Sequence, residues 1–469
     1  MLRICKENKK SVLAQVRAGK LDSAMLSTTN LVDEIILSMH TNNILSSISK
    51  SIPDHRAHNT TIPYEVIWAS AIAAKMKVRS SLTDIPYAIS DHRTLAKLGY
   101  ALVDIEQGLN QGLMQEGSLR FLIGKYTSDS LVNGYNKMVQ EYTIPRFDFE
   151  PNIHILDCTD LEVNYFNHHY EGSGVSYSKR SPSGLLEKAR GYKLATLRGL
   201  VKDSGIIEEI RLGPLNTNDL ELSREMLLTT KLLKPGDILI NDRGFISRNL
   251  INYLKIVKKV DTYVPLRQNM QAYDIAVQVS KEINRWSSHP IARFAKQKIC
   301  LVTGLSPYWG DRSEPSDIPN ADINACVVWD IDTDKYLVFA TTDTSKSARD
   351  ILKTYSLRPE IEEDYRQLKE FWKIEDFKST KLNLITFHIV SVLFGYLFYL
   401  LYTMLPEGIQ FQGKSLPVAL KNYVVKVQGF IMLYEGGNFG ILTLFEMMEL
   451  YAKSKSAIRN KLKTILEQI

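Results

Sequence analysis

Cysteine is scarce in this chain. Cys5, Cys158, Cys300 and Cys326 are the only four in 469 residues, and no two form a CxxC pair. That excludes a zinc knuckle or a disulfide framework and favours a reducing compartment. No apolar leader opens the sequence. The first twenty residues carry Arg3, Lys6, Lys9, Lys10, Arg17 and Lys20 against one acid, Glu7, so no signal peptide is read there and a cytoplasmic location is expected. Internal repeats and long low-complexity tracts are missing too. Charge is not one-sided: 58 Lys and Arg oppose 52 Asp and Glu, a net +6 that suits a polyanionic partner without demanding one. Long apolar runs are also rare. Leu382 to Leu405 is the one stretch long enough for a bilayer and free of Lys, Arg, Asp and Glu. His388 and Asn383 interrupt it, so it reads as a helix buried on all sides of a large domain, and no membrane partner is expected.

What is present is ordinary globular material, 44% hydrophobic and 23% charged, and long enough for about three domains. Residues 1–150 read as a helical domain that suits DNA binding. Tyr64 to Met76 is rich in Ala and Ile, and Ser90-Asp91 offers a cap before Arg93 to Lys97. The texture changes at Pro151. Ile153 to Val163 has strand character, and Gly172 to Gly184 reads as a loop. Tyr192 to Val201 and Ile206 to Leu212 read as two more strands. Asn218 and Asp219 can cap a helix that Pro235-Gly236 stops. Ile238-Leu239-Ile240 has the fully apolar texture of a strand buried on both faces. A helix over Arg248 to Lys259 and a strand at Tyr263-Val264 follow. This alternation gives a mixed α/β core over 151–266. Residues 267–344 read as a β-rich insertion, with strands at Ile299 to Val302, Ala325 to Asp330 and Tyr336 to Ala340. Helices resume at Ser345. Residues 345–405 complete the core, and 406–469 form a helical C-terminal region. Three basic runs stand out: the first twenty residues, Lys179 to Lys202, and Lys453 to Lys463. Each taken alone reads equally well as a solvated face.

Three acidic residues invite chemistry. Asp157 lies inside an apolar strand, in Ile155-Leu156-Asp157-Cys158, where a carboxylate is costly without a pair or a cation. Asp160 is its rival, but side chains alternate along a strand, so the two face opposite ways. Asp242 follows the buried strand at its C-terminal end, where α/β sheets build sites, and Gly244 permits the turn. Glu362 falls in the first turn of a helix that Pro359 can start, with Ile361, Tyr365 and Leu368 facing inward and Lys369 two turns on. The rivals Glu363 and Asp364 point elsewhere on that helix. Two other features carry less. His168-His169 lacks a partner at zinc-like spacing. Trp286, Trp309 and Trp329 lie in the insertion, where base stacking and plain core packing are both open.

The spacing Tyr355, two residues, Arg358, three residues, Glu362, six residues, Lys369 resembles the Y-x2-R-x3-E-x6-K (YREK) signature of a branch of bacterial insertion-sequence transposases of the DDE class. LDCTDLE and LINDRGF resemble that family's two aspartate motifs, in the right order, and the resemblance covers roughly residues 150 to 405. It implies an RNase H-like mixed-sheet core with a β-rich insertion, and catalysis by Asp157, Asp242 and Glu362 holding two Mg²⁺ or Mn²⁺ ions. It also implies DNA contacts from Tyr355, Arg358 and Lys369. The implied partners are double-stranded DNA, as terminal inverted repeats and target, and a second copy in a synaptic dimer. The implied location is the bacterial cytoplasm, on the nucleoid when bound to DNA. A domesticated DNA-binding descendant and an RNase H-like nuclease without transposition are the alternatives.

Overall fold

The computed structural model describes residues 6–27, 30–57, 60, 62–89, 91–100, 114–180, 186–202, 204–309, 318–423 and 430–467. The chain divides into two compact units, residues 147–366 and residues 1–146 with 367–469.

The 147–366 unit is built on a ten-stranded mixed sheet. Strand Ile153–Val163 lies near its middle, and Ile155 and Leu156 are fully buried, as its apolar start requires. On one side it pairs antiparallel with Leu186–Val201, which pairs antiparallel in turn with Ser204–Pro214. Strand Gly174–Arg180 pairs with the start of Leu186–Val201, so part of the loop expected over 172–184 is a strand. On the other side lie two parallel strands, Ile238–Asn241 and then Asp261–Pro265. Helix Asp219–Thr229, capped by Asn218, makes the crossover that a parallel neighbour needs. Its Met226 and Leu227 close a core with Leu156, Leu197, Leu239 and Phe245, each contributing about 1.5–3 kcal/mol by burial. Three antiparallel strands, then two parallel ones beyond the first, form a mixed α/β arrangement compatible with an RNase H-like fold.

Strands Lys335–Thr341, Asn324–Asp330 and Gln297–Val302 continue the same sheet outward from Asp261–Pro265, all antiparallel. The β-rich stretch expected over 267–344 thus extends the main sheet. It also contains a 13-residue helix, Gln271–Ile283, that the sequence reading did not anticipate. The alternation Ile275, Val277, Val279 imitates a strand. The residues that bury are Ala272, Ala276 and Ser280, at helical spacing.

Beside the central strand sits a buried charge cluster. His154 is fully buried, with Nδ1 2.9 Å from Glu208 and Nε2 3.3 Å from Asp237. Burial works against the imidazolium, but carboxylates on both nitrogens outweigh it and push the His154 pKa up to about 9.

The other unit is helical around Leu382–Met404, the 23-residue apolar stretch. Its most apolar window is 94% buried, with mean hydropathy 2.1. Trp68 of helix Tyr64–Met76 and Tyr135 of helix Ser128–Met138 pack on its Phe387 and Phe394, with ring centroids 5.1–5.7 Å apart. A helix apolar on every side needs neighbours all round, and residues 1–146 supply them. Residues 367–405 pack with the N-terminal helices in one compact unit. The same unit contains a four-stranded sheet. Hairpin Phe430–Glu435 and Asn438–Leu442 pairs with Ser23–Ser27 on one edge and Lys6–Glu7 on the other. Neither the N-terminal domain nor the C-terminal region is purely helical. The hairpin turns on Gly436 and Gly437, both at positive φ, the backbone of a tight two-residue turn.

Candidate active site

Asp157 and Asp242 are brought together by register. Leu156 pairs with Asn241 across the parallel strands, so the next residues, Asp157 and Asp242, stand side by side. Neighbouring strands lie about 4.8 Å apart, which sets the scale of that approach. Asp242 leaves its strand into a short turn at Arg243–Phe245 and accepts a hydrogen bond from the Arg243 N–H.

Glu362 arrives on helix Pro359–Glu370. Two contacts to strand Leu186–Val201 dock that helix. The Tyr365 hydroxyl lies 2.6 Å from Thr196 Oγ1, and Arg198 Nε donates to Asp364 at 2.6 Å. Ile361 is fully buried beneath the same turn. Arg198 and Asp364 are both buried, and a buried pair of this kind fixes orientation because either partner alone is strongly unfavourable. Asp364 does point away from Glu362, as expected, but it is a positioning residue. The available signal is an arginine in the mostly apolar second half of that strand, Leu194 to Val201.

One guanidinium joins the three acids. Arg358 Nη2 lies 2.9 Å from Asp157 and 3.8 Å from Asp242, while Nη1 bonds Glu362. Two oxygens this close to one nitrogen are no more than about 7 Å apart, a span that two ions about 4 Å apart can occupy. Burial pushes the Asp157 carboxyl up to about 6, although Arg358 pulls the other way. Burial opposes the Arg358 charge, yet Asp157, Asp242 and Glu362 together raise its pKa above the ordinary value. Asp157 is largely covered, whereas Glu362 is exposed, so the cluster opens on the helix side.

Tyr355 ends helix Ala348–Tyr355 with its ring against Phe339, centroids 4.9 Å apart. Burial and then the nearby acids keep its phenol protonated. Arg358, which the resemblance makes a DNA contact, has its guanidinium engaged by carboxylates. Lys369 stands near the C-terminal end of the Glu362 helix, in the other unit, with Nζ 3.3 Å from Glu375. Trp309 is core, while Trp286 and Trp329 are half-buried and pack on each other at 5.4 Å. His168 Nδ1 takes a hydrogen bond from Arg190.

Among the described residues, no three Asp, Glu, His or Cys side chains stand close enough to hold an ion directly. The donor set nevertheless fits a hard divalent cation. Three carboxylates already surround one positive charge, and metal–oxygen bonds of about 2.1 Å would draw them closer than the 2.9 Å guanidinium contact does.

Residues 171–398 match the family model of the transposase DDE domain. The matched segment includes Asp242 and Glu362 and begins downstream of Asp157. No curated protein matches the chain.

Proposed function

From the premise that this chain carries a transposase DDE domain, we propose that it is an insertion-sequence transposase of the YREK branch, which cuts transposon ends and joins them to target DNA. The observation that carries this reading is the convergence of Asp157, Asp242 and Glu362 on one cation. Asp157 is central, on the strand between its partners, and would hold the divalent metal, two Mg²⁺ or Mn²⁺ ions in this reading, together with them. Asp242 and Glu362 flank it and would hold one ion each. When bound, such ions acidify an attacking oxygen and stabilise a leaving one.

The protein's own part is positional. The Leu156–Asn241 register sets the two aspartates, and the Arg198–Asp364 and Thr196–Tyr365 contacts set the height of Glu362. With water held in line the site frees a 3′ end, and with that 3′-OH in the same place it joins the end to target. Tyr355, Arg358 and Lys369 are the proposed grips on phosphate near the cut. The proposed assembly is a homodimer pairing two ends, working in the bacterial cytoplasm without a membrane partner. In this reading residues 1–150 contribute DNA binding.

A duplex bearing the DNA that flanks this reading frame tests the reading. Cleavage should require a divalent metal, and cutting that persists in EDTA rejects the mechanism. A pre-cut end should be joined to plasmid DNA. Hydrolysis without joining would make the protein a nuclease of the same fold.

Arg358 makes a separate prediction. Its guanidinium occupies the place between the acids, so a divalent ion must displace it. Arg358→Ala should bind Mn²⁺ about tenfold more tightly by calorimetry, the effect of one partly screened charge, while cleavage falls. Unchanged or weaker Mn²⁺ binding would show that the guanidinium does not compete.

A further inference from the structure

The three basic runs part company in the structure. Three cations of the middle one are engaged inside its own unit, while Lys188 and Lys202 stay exposed. Arg190 donates to the Tyr165 carbonyl, Lys193 pairs with Asp219, and Arg198 pairs with Asp364. The two terminal runs, more than four hundred residues apart in sequence, come together. Strands Lys6–Glu7 and Ser23–Ser27 flank the C-terminal hairpin, and helices Lys9–Arg17, Leu444–Lys453 and Ser456–Leu466 pack on it. Val12 and Val16 of the first helix share one core with Ile458 and Leu462 of the last, on the same face of the sheet. Lys461 Nζ donates to the Leu21 carbonyl at 2.8 Å, and Lys9 pairs with Glu446.

Both helices bury their apolar stripes in that core, which leaves Lys10 and Arg17 on the outer side of the first; Lys20 follows that helix and Lys455 directly precedes the last. Residues 6–27 and 430–467 hold ten Lys or Arg against six Asp or Glu, an excess of four out of the whole chain's six. Lys10, Arg17, Lys20 and Lys455 are all exposed and make no salt bridge within 4 Å among the described residues, with Glu449 near Arg17 and Glu435 near Lys20. The apolar stripes of these two helices are used in that core; the exposed apolar side chains of the module, Leu444, Phe445 and Met448, lie on helix Leu444–Lys453, which carries none of the four cations. What remains is a charged layer of the kind that recognises a phosphate backbone by charge.

We propose that this module, made from both ends of the chain, is a docking surface for the backbone of double-stranded DNA, with Lys10, Arg17, Lys20 and Lys455 as its contacts. The inference rests on the transposase reading but assigns the DNA grip to a place the catalytic residues do not occupy.

The test is the salt dependence of duplex binding, read by fluorescence anisotropy in EDTA so that nothing is cut. A variant carrying Lys10→Ala, Arg17→Ala, Lys20→Ala and Lys455→Ala is compared with a control carrying Lys231→Ala, Lys298→Ala, Lys335→Ala and Lys421→Ala, which removes equal charge elsewhere. All eight positions are exposed, and circular dichroism and melting temperature confirm that both variants fold. Each lost phosphate contact lowers the slope of log K against log salt by about 0.9, so the first variant should lose about two to four units of slope and at least about tenfold in affinity. The control should keep the wild-type slope. An unchanged slope in the first variant, or an equal drop in both, overturns the proposal. So does wild-type binding to phosphatidylserine vesicles that needs these four residues while duplex DNA stays unbound. Wild-type protein that neither binds nor cuts DNA would instead remove the transposase reading itself.

Discussion

Replacing Asp242 with asparagine is expected to lower end cleavage and strand transfer by about a thousandfold or more while leaving the fold intact. The argument is electrostatic. Asparagine keeps the shape and the hydrogen bond to the Arg243 N–H but removes the charge that would hold an ion. Loss of one ion from a two-ion site removes several kcal/mol of transition-state stabilisation, and each 1.4 kcal/mol is tenfold in rate. Asp157→Asn and Glu362→Gln should behave alike, and pairs of these changes should cost little more than one, as residues acting as a unit do. Gel assays of cleavage, beside melting curves, check this. Normal cutting by Asp157→Asn together with loss in Asp160→Asn would mean that the first ligand is Asp160. The proposal takes Asp157 because Arg358 gathers it with Asp242 and Glu362.

The second large effect is on stability. His154→Leu should destabilise the 147–366 unit by about 3–5 kcal/mol, since it leaves Glu208 and Asp237 facing each other in a buried space. The wild type should also lose stability in alkali. His154 has a folded pKa of about 9, above the ordinary 6.5 of an unfolded histidine. Its contribution is therefore complete below about pH 6.5 and is lost as pH rises through about 9. Chemical denaturation at pH 6, 8 and 9.5 measures this. A wild-type curve that stays flat through pH 9.5, or that His154→Leu reproduces, would show that the imidazolium contributes nothing.

Where the local pattern was unambiguous, the sequence was readable. Ile153–Val163, Ile238–Asn241 and Tyr64–Met76 form the elements their textures predict, because apolar strands and an Ala-rich helix leave few alternatives. Asp157 could be picked out because a carboxylate inside a buried strand needs a reason, whereas Glu362, exposed in the first turn of its helix, stands out only through the Y-x2-R-x3-E-x6-K spacing. The joint capture of the three acids by Arg358 could not be read, since it depends on a turn bringing a helix back over the sheet. The helix Gln271–Ile283 was hidden by β-branched residues at alternating positions. The C-terminal hairpin was hidden for a different reason. Gly436-Gly437 is a strong turn signal, but the strands it joins find partners at the opposite end of the chain, where no local window looks. The grouping of Leu382–Met404 is also non-local: composition shows that the helix must be buried, and not against what.

That closure between the two ends bears on how the protein is made. Asp22 receives a hydrogen bond from the Gly436 N–H, 414 positions later. At about 5–20 residues per second, the first strands wait on the order of tens of seconds for the hairpin to leave the ribosome. Until then Val12, Val16 and Leu21 have no core to enter. A product that stops short of the hairpin would leave those side chains uncovered, an apolar surface that chaperones and proteases recognise.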